Sequence, residues 1–202
     1  MRTNAISPAH LRNEIGIQDP LQVVLGYLAA WRFEAGDASA SFTESDLRLA
    51  NRGGARISAA EIAAVLERRR AIERALRAMA PEASLAGASA SVPWIPLRAL
   101  FDAFADIRGV GVAKATKALH PKRPALIPML DSVVRGYLTD DDPGPRAPFA
   151  ERALALVRGY KRDLDRNRTT LRAVRRELRR QGHELTEVRI LDLLIWSAQP
   201  PA

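Results

Sequence analysis

Ile107-Arg108-Gly109-Val110-Gly111-Val112-Ala113-Lys114-Ala115 is the stretch that leaves this 202-residue chain the fewest backbone choices. A hydrophobic residue, one free position, Gly-Val-Gly and then Ala115 together predict two helices joined by a tight hairpin. Gly109 can take the positive φ that reverses the chain, Gly111 lets backbone approach a ligand, and the small Ala115 lets two helices cross closely. A turn of this kind directs backbone N–H groups and a helix N-terminus outward, which suits a phosphate. Ile107, Arg108, Gly109, Val110, Gly111 and Val112 are therefore candidate nucleic-acid contacts, and the neighbouring Lys114, Lys117, Lys122 and Arg123 join them. The competing reading of the same residues is a tight corner between helices that packs and binds nothing.

The rest of the chain reads as helix. Residues 1–18 carry no periodicity and are expected to form a loosely packed arm; residues 19–202 form a single all-α domain. Asp19-Pro20 opens a helix with Leu21, Val24, Leu25, Leu28 and Trp31 on one face. Thr43 with Asp46, and Ser58 with Glu61, are capping-box signals. The second introduces one long apolar face through Ile62, Val65, Leu66, Ile72, Leu76 and Met79, and Arg68-Arg69-Arg70 on that helix is a solvated run. Residues 82–96, rich in Ala, Ser, Gly and Pro, are a loop or internal boundary ending in Pro93-Trp94-Ile95-Pro96. Trp94 there is a rigid apolar plug or a wedge against a base. Leu97, Leu100, Phe101 and Phe104 make the helix before the hairpin amphipathic, so the helix-hairpin-helix core spans 97–138. Asp140-Asp141-Asp142 falls in a solvated linker. Basic helices follow over 148–197, the last of them apolar nearly all round, with Asp192 a structural acid that Arg189 can pair.

Charge narrows the partner. The chain carries a formal charge of +8 with 27 Arg against 4 Lys, and residues 151–181 alone hold 11 basic and 4 acidic side chains. A coding bias toward Arg and Ala would not gather charge into one segment, so a polyanion is the expected partner. Arg168, Arg172, Arg175, Arg176 and Arg179 fall in one sector of a helix, away from Leu171, Val174 and Leu178, and form a second set of phosphate contacts. The absence of cysteine excludes disulfides, iron–sulfur clusters and thiolate zinc sites. With His10, His120 and His183 far apart, no His-based metal site is expected; carboxylate sites stay open, though none is assigned. No apolar run nears twenty residues and no signal-peptide core is present, so the expectation is a cytoplasmic protein without a membrane or an obligate protein partner, nucleoid-associated if it binds DNA.

Asp131 lies 22 residues after Gly109 and opens a helix behind the apolar run Leu126, Ile127, Met129 and Leu130. Hairpin and acid at this spacing resemble the helix-hairpin-helix DNA glycosylase superfamily across residues 97–138. The resemblance implies a multi-helix orthogonal bundle and a monofunctional glycosylase that hydrolyses the N-glycosidic bond of a damaged or modified base in double-stranded DNA. Asp131 would stabilise the oxocarbenium-like transition state and activate water beside a flipped nucleotide. It also implies a monovalent cation at hairpin carbonyls around Ile107 and Val110. At the position where strand-cutting members carry a lysine this chain has Ala113, which excludes a lyase step; Gly136 stands where an arginine is common. Helix capping is the alternative role for Asp131, and a non-catalytic DNA-binding module that keeps the hairpin is the alternative for the chain; an interaction protein whose basic helix meets an acidic partner is a third. Over its whole length, with His120 to Ser132 and Arg189 to Trp196 as its marks, the chain also resembles an uncharacterised bacterial all-helical family.

Overall fold

A computed structural model describes residues 6–12, 15–30 and 37–198. The expected core position Trp31 lies outside them. The described residues are predominantly helical: α1 (Pro20–Ala30), α2 (Glu44–Arg52), α3 (Ala59–Glu67), α4 (Arg69–Arg77), α5 (Trp94–Asp102), α6 (Val112–Leu119), α7 (Ser132–Tyr137), α8 (Phe149–Arg166), α9 (Arg168–Arg180) and α10 (Glu187–Ser197). The all-α reading holds at this level.

The centre of the molecule is α10. Val188, Ile190, Leu191, Leu193, Leu194 and Ile195 are all fully buried, because α1, α7, α8 and α9 pack around it. An apolar helix of this kind costs too much surface to leave in water, so the other elements assemble on it. A second layer joins α5 to α4 and α8, and α2 to α6, with Phe42 and Phe104 meeting edge to face at 6.2 Å.

Two sequence expectations are corrected. The face from Ile62 to Met79 is carried by two helices, since Arg68 (φ −88°, ψ 0°) leaves helical geometry and is at once the C-cap of α3 and the N-cap of α4. The break lets Val65, Ile72, Ala75 and Leu76 all be buried, whereas Ile62 and Leu66 stay half-covered.

The N-terminal segment is also not loose where it is described. β1 (Ala9–His10) and β2 (Gly16–Ile17) pair antiparallel, with Ala9 opposite Ile17. Asn167, at the junction of α8 and α9, accepts from the His10 N–H at 2.7 Å and donates to the His10 carbonyl at 2.9 Å, the way a neighbouring strand would. Arg12 reaches Asp163 at 2.5 Å, pairs with Asp141 and donates to the Gly159 carbonyl at 3.0 Å. Ala9 and Leu11 are buried beneath these contacts.

Candidate nucleic-acid interface

In the stretch 107–115, Gly109 takes φ +82°, the positive value its sequence predicts, after Asp106 at φ 62°, and the Val110 N–H bonds the Ile107 carbonyl at 3.0 Å. Ile107, Val110 and Val112 are buried and anchor the turn, while Arg108, Gly109 and Gly111 are exposed. The flanking helices do not take each other as main neighbours: α5 packs on α4 and α8, and α6 on α2. Gly111 is the extended N-cap of α6 (φ −84°), and a Cβ there would meet open space.

What does approach the turn closely is the protein's own carboxylate. A Cβ at Gly109 would run into the Glu61 side chain. Ser58 caps α3 by accepting from the Glu61 N–H (3.3 Å), and Glu61 accepts the Ser58 N–H in return (2.8 Å) while pairing with Lys114 Nζ at 2.7 and 2.8 Å. These contacts, led by the Lys114 hydrogen bond, hold the Glu61 carboxyl below its ordinary range. An anion thus already lies at the hairpin, and it belongs to α3. The Ile107 carbonyl accepts from the Val110 N–H at 3.0 Å.

Lys117, Lys122 and Arg123 are engaged by the fold, whereas Arg108 in the turn is exposed. Lys117 donates to the Gly53 and Gly54 carbonyls at 3.2 and 3.4 Å, closing the end of α2. Lys122 is buried against Asp46 at 2.9 Å. Arg123, also buried, gives hydrogen bonds to the carbonyls of Leu76 (2.9 Å), Ala38 (2.6 Å) and Lys122 (2.7 Å), and so closes the last turn of α4. The expectation that Lys122 and Arg123 reach an outside phosphate is corrected by this burial: their charges face carbonyls and a carboxylate inside the molecule.

Asp131 is buried and caps α7, with Oδ1 accepting the Val134 N–H at 3.0 Å. Around it lies a polar cluster that sequence reading only half found. Asp192 Oδ2 is 3.8 Å from Arg189 Nη1, and the Tyr160 hydroxyl is within reach of Asp192 Oδ1 (3.0 Å) and the Val188 carbonyl (2.6 Å). Burial pushes the Asp192 carboxyl up to about 7 despite Arg189. It pushes His120, whose Nδ1 lies 2.7 Å from the Ile127 carbonyl, down to about 4. Arg189 stacks on Trp196 with its charged carbon 5.1 Å from the ring centre. Asp192 with Arg189 was legible at i, i+3; Tyr160, 32 positions away, was not.

Trp94 is the first residue of α5, half-buried, with its indole N–H on the Ser89 carbonyl at 3.1 Å and Arg158 stacked 5.3 Å above its ring. Arg158 also borders an open groove of about 390 Å³ with Arg98, Pro143, Glu151 and Leu154.

The basic helix is the feature that gathers. On α9, Leu171, Val174 and Leu178 are fully buried, which turns the arginines outward. Arg172, Arg175, Arg176, Arg179 and Arg180, with Glu187 at the start of α10, line an open groove of about 520 Å³. Arg175 pairs with Glu187, Arg179 with Glu184 at 3.0 Å, and Arg180 with Glu177 at 3.0 Å. Arg172 and Arg176 are exposed and form no ion pair among the described residues. Arg168 stands apart from this groove, paired to Asp165 at 2.5 Å.

Residues 29–199 match a family described as a family of unknown function, DUF6308. The chain belongs to this family. No curated protein and no solved structure matches it. The matched segment takes in residues 107–115, Asp131 and the arginines of α9. No helix among the described residues is long and apolar enough to cross a membrane, and no cluster of three or more His, Asp or Glu side chains among them could hold a metal ion.

Proposed function

We propose that this protein binds double-stranded DNA through the arginine face of α9, as a non-catalytic module. The observation that carries the reading is the pair Arg172 and Arg176, exposed and without an ion pair among the described residues, in a groove whose other walls include Arg175, Arg179 and Arg180. Residues four apart on a helix rise about 6 Å, so the two guanidiniums stand side by side and can each take a phosphate oxygen. Duplex DNA offers one negative charge per roughly 1.7 Å of axis, and releasing its counterions drives association. Contacts of this type fix position on the backbone without reading bases. Base removal has less support, because Asp131 is buried, serves as the cap of α7 and borders neither groove.

The test is retention of a short duplex by the full chain between about 50 and 200 mM salt. Affinity is expected to fall steeply with salt. Arg172→Gln with Arg176→Gln should lower the log–log slope by about 2, near 0.9 for each phosphate that is no longer neutralised. Retention that ignores salt, or a slope that both substitutions leave unchanged, overturns the reading.

A further inference from the structure

The groove on α9 contains one carboxylate of its own. Glu187 is the acid that lines it, and both of its oxygens lie on a single nitrogen of Arg175, Nη1, at 3.0 and 2.9 Å. That is an incomplete use of a guanidinium, whose planar fork can offer two parallel donors to an oxyanion. Arg175 Nε is buried and has no hydrogen-bond partner among the described residues. Glu187 is itself largely buried, at the first position of α10, where the N-terminal end of the helix favours negative charge. The carboxylate is held in place by its own helix and keeps Arg175 from any visiting anion.

We propose that Glu187 is an internal stand-in for phosphate: it occupies Arg175 in the free protein and limits the groove to Arg172 and Arg176 as working contacts. A phosphate that displaces it gains Arg175 as a third. This inference rests on the reading of the groove as a DNA phosphate site and assigns that site its restraint. The neighbouring pairs do not play the same part. Glu184 and Glu177 pair with Arg179 and Arg180 at the open rim, where such pairs hold loosely, whereas Arg175 with Glu187 is the inner pair.

The experiment compares duplex affinity and salt slope for the wild-type chain, Glu187→Gln, Glu67→Gln and the double variant Arg175→Gln with Glu187→Gln. Glu67 is exposed and outside the groove, so its replacement changes net charge equally without touching Arg175. Glu187→Gln is expected to bind about tenfold more tightly, the worth of one charge-assisted hydrogen bond, with a slope steeper by about 1. Glu67→Gln should stay near wild type, and the double variant should lose the gain. If Glu187→Gln leaves affinity and slope unchanged while wild type still shows its steep salt dependence, the stand-in role is overturned and the DNA reading survives. Equal gains from Glu187→Gln and Glu67→Gln also overturn it, as a net-charge effect. Salt-independent retention by the wild-type chain overturns both. Matched thermal midpoints among the variants establish that every comparison is between folded proteins.

Discussion

Lys122 and Arg123 show what a basic residue can do when its backbone neighbours point it inward. Each is nearly without solvent exposure, and each meets the oxygen atoms left over at helix ends or a buried carboxylate. A guanidinium closing the last turn of α4 gives a second donor to the Leu76 carbonyl, which also accepts the Met79 N–H at 3.2 Å. Gly109 shows the same intimacy from the other side. Its left-handed backbone costs a side chain about 1–2 kcal/mol, and the Glu61 carboxylate occupies the space where that side chain would begin. Gly109→Ala is therefore expected to destabilise the wild-type chain by more than the backbone term alone, since Glu61 must leave Lys114. In a Glu61→Ala background the cost should shrink to about 1–2 kcal/mol. Urea unfolding of the four proteins reads the difference, and equal costs in the two backgrounds would remove Glu61 from the account.

At the scale of elements, α10 joins packing to titration. Asp192, raised from 3.8 to about 7, holds its proton more tightly folded than unfolded, so its contribution is complete below about 4 and is lost as pH rises toward 7. His120, lowered from 6.5 to about 4, behaves oppositely: its contribution is complete above 6.5 and is lost as pH falls toward 4. The two slopes oppose each other across the same window, so the wild-type chain should change little in stability between about pH 4 and 6.5. Asp192→Asn should expose the His120 slope, with stability falling on acidification. His120→Asn should expose the other, with stability rising as pH drops from 7. Denaturant midpoints at stepped pH measure both, and parallel profiles for all three chains would sink the account.

Helices α8, α9 and α10 were legible because a helical period sorts apolar from basic positions within one element, without knowledge of partners. The arginine groove was legible for that reason alone. The break at Arg68 was not, because apolar spacing carries across a single non-helical residue almost unchanged. Nor was the fate of Lys122 and Arg123: nearness in sequence to an exposed turn says nothing about which way a side chain points. Strands of two residues, as in β1 and β2, are too short to show a period. Tyr160 and Asp192 needed two helices to be placed before their contact existed. Asp131 was read with both of its possible roles, and the capping role is the one whose hydrogen bond is present.

For the whole molecule, the decisive long-range contact is Arg12 with Asp163. Asp163 is almost wholly buried, and Arg12 closes over it from the N-terminal segment. Arg12→Ala leaves that carboxylate, among the described residues, with the exposed Arg166, 3.3 Å away, as its counter-ion. Breaking a buried pair by deleting one partner costs about 3–5 kcal/mol, so the thermal midpoint should fall by many degrees; replacing both Arg12 and Asp163 with apolar residues should recover much of the loss. A midpoint unmoved by Arg12→Ala would show that the segment adds nothing to stability.

The Asn167 clasp on His10 spans 157 positions of chain. During synthesis the N-terminal strand leaves the ribosome first and its partner amide only after α8 is complete. Until residue 167 is made, β1 has only β2 as a neighbouring strand, and the His10 peptide groups lack their Asn167 partner. Native-state hydrogen exchange should therefore show the His10 amide opening faster in Asn167→Ala than in the wild-type chain, and equal rates would show that the clasp does not hold the strand.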